Sequence, residues 1–138
     1  MAPGRWIFCG AILAGTAVLL GAYSAHGLAA QLERQGYVAI DLAGRVARYD
    51  TAVRYQMFQS LGLISVAILL IHAPSRTLQL AAWSLLLGVL IFSGLLYVLT
   101  FSGPAWKWLG AVVPIGGLLM AVGWFALAWA SFTIDRGT

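Results

Sequence analysis

The chain has 138 residues, 62% of them apolar and only 9% charged, with a net charge of +4, against roughly 45–50% apolar and roughly 25% charged in soluble domains. With a mean hydropathy of +0.91, this is the composition of a protein that lives in a bilayer, and it excludes a disordered chain. A single cysteine, Cys9, excludes a disulfide scaffold, and eight basic residues spread over the whole length exclude a nucleic-acid binder.

A hydrocarbon core about 30 Å thick needs about 20 apolar helical residues to cross it. Four runs of that length stand almost free of Asp, Glu, Lys and Arg, at about 6–28, 52–73, 78–101 and 108–132. A β-barrel would show roughly ten-residue alternating segments, whereas a stretch such as LAAWSLLLGVLIF is apolar on every side. The predicted fold is therefore all-α: an integral membrane four-helix bundle, antiparallel, forming a single transmembrane domain over 1–138.

The first run follows Arg5 and is trailed by Gly21, Ala22, Ser24 and Ala25, a pattern shared with secretory leaders. It exceeds the usual length of a leader's apolar region, so we read it as a retained span. Cys9 comes too early for a lipoprotein site and is expected to be a small buried residue. Ala17, Gly21 and Ala25 recur every four residues, the small-residue face that close helix packing in lipid requires. His26 closes the run.

About 23 residues separate the first two runs. Within them Leu42, Val46, Tyr49 and Val53 recur at helical spacing with Arg45 and Arg48 between, which predicts a short amphipathic interfacial helix leading into the second span; the alternative is an ordinary solvated loop. The second run carries Arg54 just inside its start, continues through Tyr55, Gln56, Gln59 and Ser60, and stops at Pro74 and Ser75. The third holds Gly88, Gly94, Ser93 and Tyr97 and stops at Ser102, Gly103 and Pro104. The fourth opens with Trp108. In it Pro114 lies about a turn inside, followed by Gly116 and Gly117, which predicts a kink that frees backbone carbonyls. Gly116, Gly123 and Ala130 recur every seven residues. Trp6, Trp83, Trp106, Trp108 and Trp129 fall near span ends, where indole rings favour the headgroup level, and Trp124 lies deeper.

The second and third connections are only four to six residues long, so the spans they join are antiparallel neighbours. Alternation then brings the end of span one, the start of span two, the end of span three and the start of span four to one membrane face. His26, Tyr55, Gln56, Gln59, Ser93 and Tyr97 gather there, with Trp108 and Pro114. At about 1.5 Å per residue, Gln59 and Ser93 sit on the order of 10 Å below that surface, where unpaired polar groups are costly. They are expected to bond to one another. Tyr55 and Gln59 are i,i+4, as are Ser93 and Tyr97, so each pair lines one helix face. The cluster reads either as an interhelical hydrogen-bond network that fixes packing register, or as a half-membrane polar pocket for a lipid headgroup, quinone-like molecule or small solute, or as a docking surface for a subunit. His26, near the headgroup boundary, is expected to be a capping or interfacial side chain.

Charge sets the orientation. One face holds Arg34, Arg45, Arg48, Arg54 and Lys107 and the other Arg5, Arg76 and Arg136, so the positive-inside bias puts the long first connection in the cytoplasm, although Arg5 pulls the other way. Catalytic chemistry finds little to work with. His26 and His72 close the first two spans at opposite faces, roughly 30 Å apart, and one cysteine with no acidic residue inside a span assembles neither a zinc nor an iron–sulfur site. Glu33, Asp41, Asp50 and Asp135 lie in connections or the tail, which argues against a proton-coupled antiporter. No GxSxG, P-loop, GxGxxG or HExxH spacing occurs. We expect no metal, no cofactor and no enzymatic activity.

The stretches GAYSAHGL (21–28), TAVRYQMFQSLGL (51–63), IFSGLLYVLTFSG (91–103) and LGAVVPIGGLLMAVGW (109–124) together resemble, in order and over nearly the whole chain, the signature blocks of the YgdD/YwdK-like family. These are small bacterial inner-membrane proteins, catalogued as a domain of unknown function, with mitochondrial relatives. The resemblance implies four transmembrane helices and carries over His26, Tyr55, Gln56, Ser93, Gly94, Tyr97, Pro114, Gly116 and Gly117. The family often has His where Gln59 stands, and Phe and Gly where Tyr23 and Ser24 stand; Gln59 can hydrogen-bond but cannot titrate.

The function this reading points to is a non-catalytic polytopic membrane protein. It would be a structural or accessory subunit of a larger membrane protein complex, or a homo-oligomer, with membrane lipids as its other partners. The alternative is a small binding or transport module that holds a lipid or small apolar molecule in the half-membrane pocket.

Overall fold

The computed structural model describes residues 1–134. Helix α1 (Pro3–Tyr23) begins with proline, whose missing N–H has no partner to lose in a first turn. It passes through a single π-helical turn, Ser24–Leu28, into α2 (Ala29–Arg34), so that one rod runs from residue 3 to residue 34. The chain reverses at 35–38, where Gly36 takes φ +86°, a left-handed conformation in which a side chain would clash. Helix α3 (Ala39–His72) follows, then α4 (Arg76–Phe101), which starts where the Ser75 hydroxyl accepts from the Leu78 N–H at 3.1 Å. A 3₁₀ segment, Pro104–Ala111, leads into α5 (Val113–Ile134). Among the described residues four rods are long and apolar enough to cross a membrane. Chain neighbours pack on one another, α1 on α3, α3 on α4 and α4 on α5, the antiparallel all-α arrangement expected.

The amphipathic stretch is helical, but it is the first part of α3 and not a separate element. The connection expected to hold about 23 residues shrinks to 35–38. The reason is periodic. The stripe Leu42, Val46, Tyr49, Val53 continues with unbroken three-and-four spacing through Gln56, Ser60, Leu63, Ala67 and Leu70, so one continuous helix face is buried along the bundle and nothing in between ends it. At about 1.5 Å per residue the 34 residues of α3 extend for about 51 Å, roughly 20 Å more than the hydrocarbon layer. Asp41, Arg45, Arg48, Asp50 and Arg54 place that overhang at its N-terminal end.

Two apolar cores follow from this layout. One, away from the overhang, joins Trp6 to Leu63, Val66 and Leu70 of α3, Leu78 and Leu85 of α4 and Ala130 of α5, with half-buried Cys9 against it. The other, at the overhang, packs Leu28, Leu32 and Tyr49 with Tyr23, Tyr37 and Tyr97. Tyrosines suit that depth, apolar in body and polar at the tip. Trp6, near the start of the first rod, is wholly buried within the protein. Its indole N–H donates to Gln79 Oε1 at 3.1 Å and its ring meets Trp83 edge-on at 4.9 Å, so the protein supplies the polar partner that the lipid interface would have given.

Pro114 also sits differently from the expected kink. Because 104–111 is a 3₁₀ segment and α5 starts at Val113, the proline occupies the first turn of its helix, where it costs no hydrogen bond. The small residues just after it serve contact. A Cβ on Gly116 would lie 2.5 Å from the Phe92 backbone nitrogen and 2.8 Å from the Gly88 carbonyl; the backbones of α4 and α5 touch there.

Candidate functional site

Between the two cores lies a polar layer, and Gln56 is its centre. It projects from the buried stripe of α3 and is 5% exposed. Its amide nitrogen donates to the Leu13 carbonyl at 2.9 Å and the Thr16 hydroxyl at 2.8 Å on α1, while its amide oxygen accepts from the Tyr97 hydroxyl on α4 at 2.8 Å. One side chain thus ties three helices. Ser93 on α4 donates to the Ala52 carbonyl of α3 at 2.9 Å, and Ser60 donates to the Gln56 carbonyl within α3.

Gln59 and Ser93 do not bond to one another as expected. Three residues on from Gln56, Gln59 turns toward α5, where its amide oxygen accepts from the Trp124 indole N–H at 3.0 Å. Ser93, for its part, faces the backbone of α3. Tyr55 lies outside the network: it is 39% exposed, and its ring leans on Phe92 with centroids 4.8 Å apart. His26 is exposed on the π-helical turn and takes no part in the network. Gly94 has open space where a Cβ would project, and Gly117 has only the Phe92 ring at 3.8 Å, so of the helix-packing glycines carried over, only Gly116 is at a tight contact.

Among the described residues no buried side-chain nitrogen or oxygen lacks a partner. The layer's polar side chains are satisfied by one another and by neighbouring backbone, which suits it to fasten helices. A cavity of about 520 Å³ lies elsewhere, at the overhang, between the start of α3, the end of α4 and the 3₁₀ segment, and none of His26, Tyr55, Gln56, Gln59, Ser93 or Tyr97 lines it. Its geometry comes from helix capping. The last turn of α4 carries no basic residue of its own, and its free carbonyls recruit cations from α3: Arg45 donates to Thr100 O and Ser102 O, and Arg48 to Leu99 O at 3.0 Å. The Arg45 guanidinium also stacks on Tyr37, 3.6 Å from the ring centroid.

Sequence reasoning missed Thr16 and Trp124 as partners and Arg45 and Arg48 as caps. A signal existed for each: a polar group in an apolar span needs a partner, and the free carbonyls at a helix C-terminus attract nearby cations.

Compared with known proteins, residues 20–117 match the family model described as "Protein of unknown function (DUF423)". A UPF0382 membrane protein of Staphylococcus haemolyticus is 37% identical over 127 residues, covering 92% of this chain and 94% of its own. One of Haemophilus influenzae is 37% identical over 118 residues, 83% of each chain. The UPF0382 membrane protein YwdK of Bacillus subtilis is 33% identical over 127 residues, 91% of this chain and 94% of its own. No solved structure matches the chain.

Proposed function

We propose that this chain, which belongs to the DUF423 family of membrane proteins, is a non-catalytic component of a bacterial plasma membrane and acts as an accessory subunit of a larger assembly. The observation that carries this reading is how its side chains divide. Gln56, Gln59, Ser93 and Tyr97 are all spent inside, fastening the helices. The flanking helices meanwhile turn broad apolar faces outward: Phe8, Ile12 and Leu19 on α1, and Leu118, Phe125 and Trp129 on α5. On α1 the exposed face includes Ala11 and Gly15, and a Cβ on Gly15 would meet nothing within 4 Å. Small residues there would let a further helix backbone approach closely, the main route to association where lipid removes the hydrophobic drive.

Blue-native electrophoresis of the protein extracted in mild detergent tests the reading. A species well above the monomer mass is expected, shifting toward the monomer in Gly15→Leu. A strictly monomeric species with no co-purifying partner would overturn it. The cation-rich overhang is assigned to the cytoplasm on the same footing, from the positive-inside bias of Arg34, Arg45, Arg48, Arg54 and Lys107.

A further inference from the structure

The cavity at the overhang goes beyond the assembly reading, and we infer that it binds the phosphate of an anionic phospholipid headgroup. Three cations line it, Arg45, Arg48 and Lys107, against one carboxylate, Asp41, a formal excess of two positive charges. The arginines are fixed in advance. Arg45 is held by Thr100 O, Ser102 O and the Tyr37 ring, and Arg48 by Leu99 O. Those carbonyls carry only the partial negative charge of a helix end, so they offset the two guanidinium charges without neutralising them. A guanidinium has five N–H groups, and Arg48 engages one nitrogen only, so donors remain to meet phosphate oxygens. Lys107 lines the cavity from the 3₁₀ segment, and among the described residues its ammonium group takes part in no hydrogen bond or ion pair.

The cavity is also open by sequence. Gly44 on α3 and Gly110 on the 3₁₀ segment both line it, and a Cβ at either would meet nothing within 4 Å. Its remaining walls select a lipid over a soluble anion. Leu96, Leu99 and Val113 line it alongside the cations. On α4, Leu96 lies about 9 Å from Ser102 toward the membrane centre, at 1.5 Å per residue. A headgroup phosphate can therefore sit among the cations while the start of its acyl chain follows the apolar wall. A cytoplasmic leaflet, the face assigned above by charge, is where anionic lipids concentrate.

The full-length protein, purified in detergent and titrated with phosphatidylglycerol, phosphatidylcholine or inorganic phosphate, is read by native mass spectrometry. Phosphatidylglycerol is expected to be retained in preference to the zwitterionic lipid. Lys107→Gln should weaken its retention about fivefold, the effect of one basic side chain at an anionic surface. Gly44→Leu, which fills the cavity without changing charge, should weaken it at least as much, and both variants should melt where the parent does. Equal retention of the two lipids, or retention unchanged in both variants, would overturn the proposal. So would displacement of phosphatidylglycerol by millimolar inorganic phosphate, which would identify the ligand as a soluble phosphate. A monomer that still selects the anionic lipid would sink the assembly reading and leave this one standing.

Discussion

An amide in hydrocarbon needs partners on both sides, because its donors and acceptor each lose water. Gln56 finds them in Leu13 and Thr16 on one helix and Tyr97 on another. Gln56→Leu should therefore strand the Tyr97 hydroxyl and destabilise the protein by about 1–2 kcal/mol, within the range of intramembrane hydrogen bonds. Thermal unfolding in detergent would show it as a lowered Tm. Tyr55→Phe is the contrast. Its ring contact with Phe92 needs no hydroxyl, so the expected change is within about 0.5 kcal/mol. A loss at Tyr55 equal to that at Gln56 would contradict the geometry. That Gln56, Gln59, Ser93 and Tyr97 share one layer was legible in the sequence, since antiparallel alternation puts them there, whereas Tyr55 and His26 stand outside it. Their pairing was not, because a few tens of degrees of helix rotation decide whether Gln59 meets Ser93 or Trp124, and no sequence pattern fixes rotation that closely.

Glycines show how elements are fitted together. Gly94, Gly116 and Gly117 all look like packing positions in sequence, yet they differ in what a methyl would strike. At Gly116 it would meet the backbone of Phe92 at 2.5 Å, and backbone cannot step aside. Gly116→Ala should push α4 and α5 apart and lower stability by about 1–3 kcal/mol. At Gly94 the space is open, and Gly94→Ala should leave stability unchanged or raise it by about 0.5–1 kcal/mol through helix propensity. Paired thermal melts decide it; equal losses at both sites would mean that the α4–α5 contact is placed wrongly. The long α3 was legible at this scale too. Its stripe runs from Leu42 to Leu70 in steps of three and four, but the hydropathy reading begins only at residue 52, because Asp50, Arg48 and Arg45 precede it. Amphipathic periodicity and span length answer different questions, and the helix obeys the first. Pro114 illustrates the reverse error: a proline marks a kink only if the helix has already started.

The overhang gives the whole molecule two unlike ends. Its connections at 35–38 and around Lys107 share the cation-rich end, and the connection at Pro74 and Ser75 lies at the other. Positive charge is retained on the cytoplasmic side during insertion. The excess over Arg5 and Arg76 therefore predicts a cytoplasmic cation-rich end, although Arg5 sits beside the first span; Asp135 and Arg136 lie outside the described residues. The single native thiol makes this testable. With Cys9 changed to Ala, cysteines placed one at a time by Gln35→Cys, Lys107→Cys and Ser75→Cys can be challenged with a membrane-impermeant maleimide on intact cells. Positions 35 and 107 should react only after the cells are opened, and position 75 from outside. Labelling of 35 and 107 on opposite sides would break the antiparallel arrangement itself. Labelling of both from outside would keep the fold and invert it, placing the cationic cavity away from the leaflet that is rich in anionic lipid.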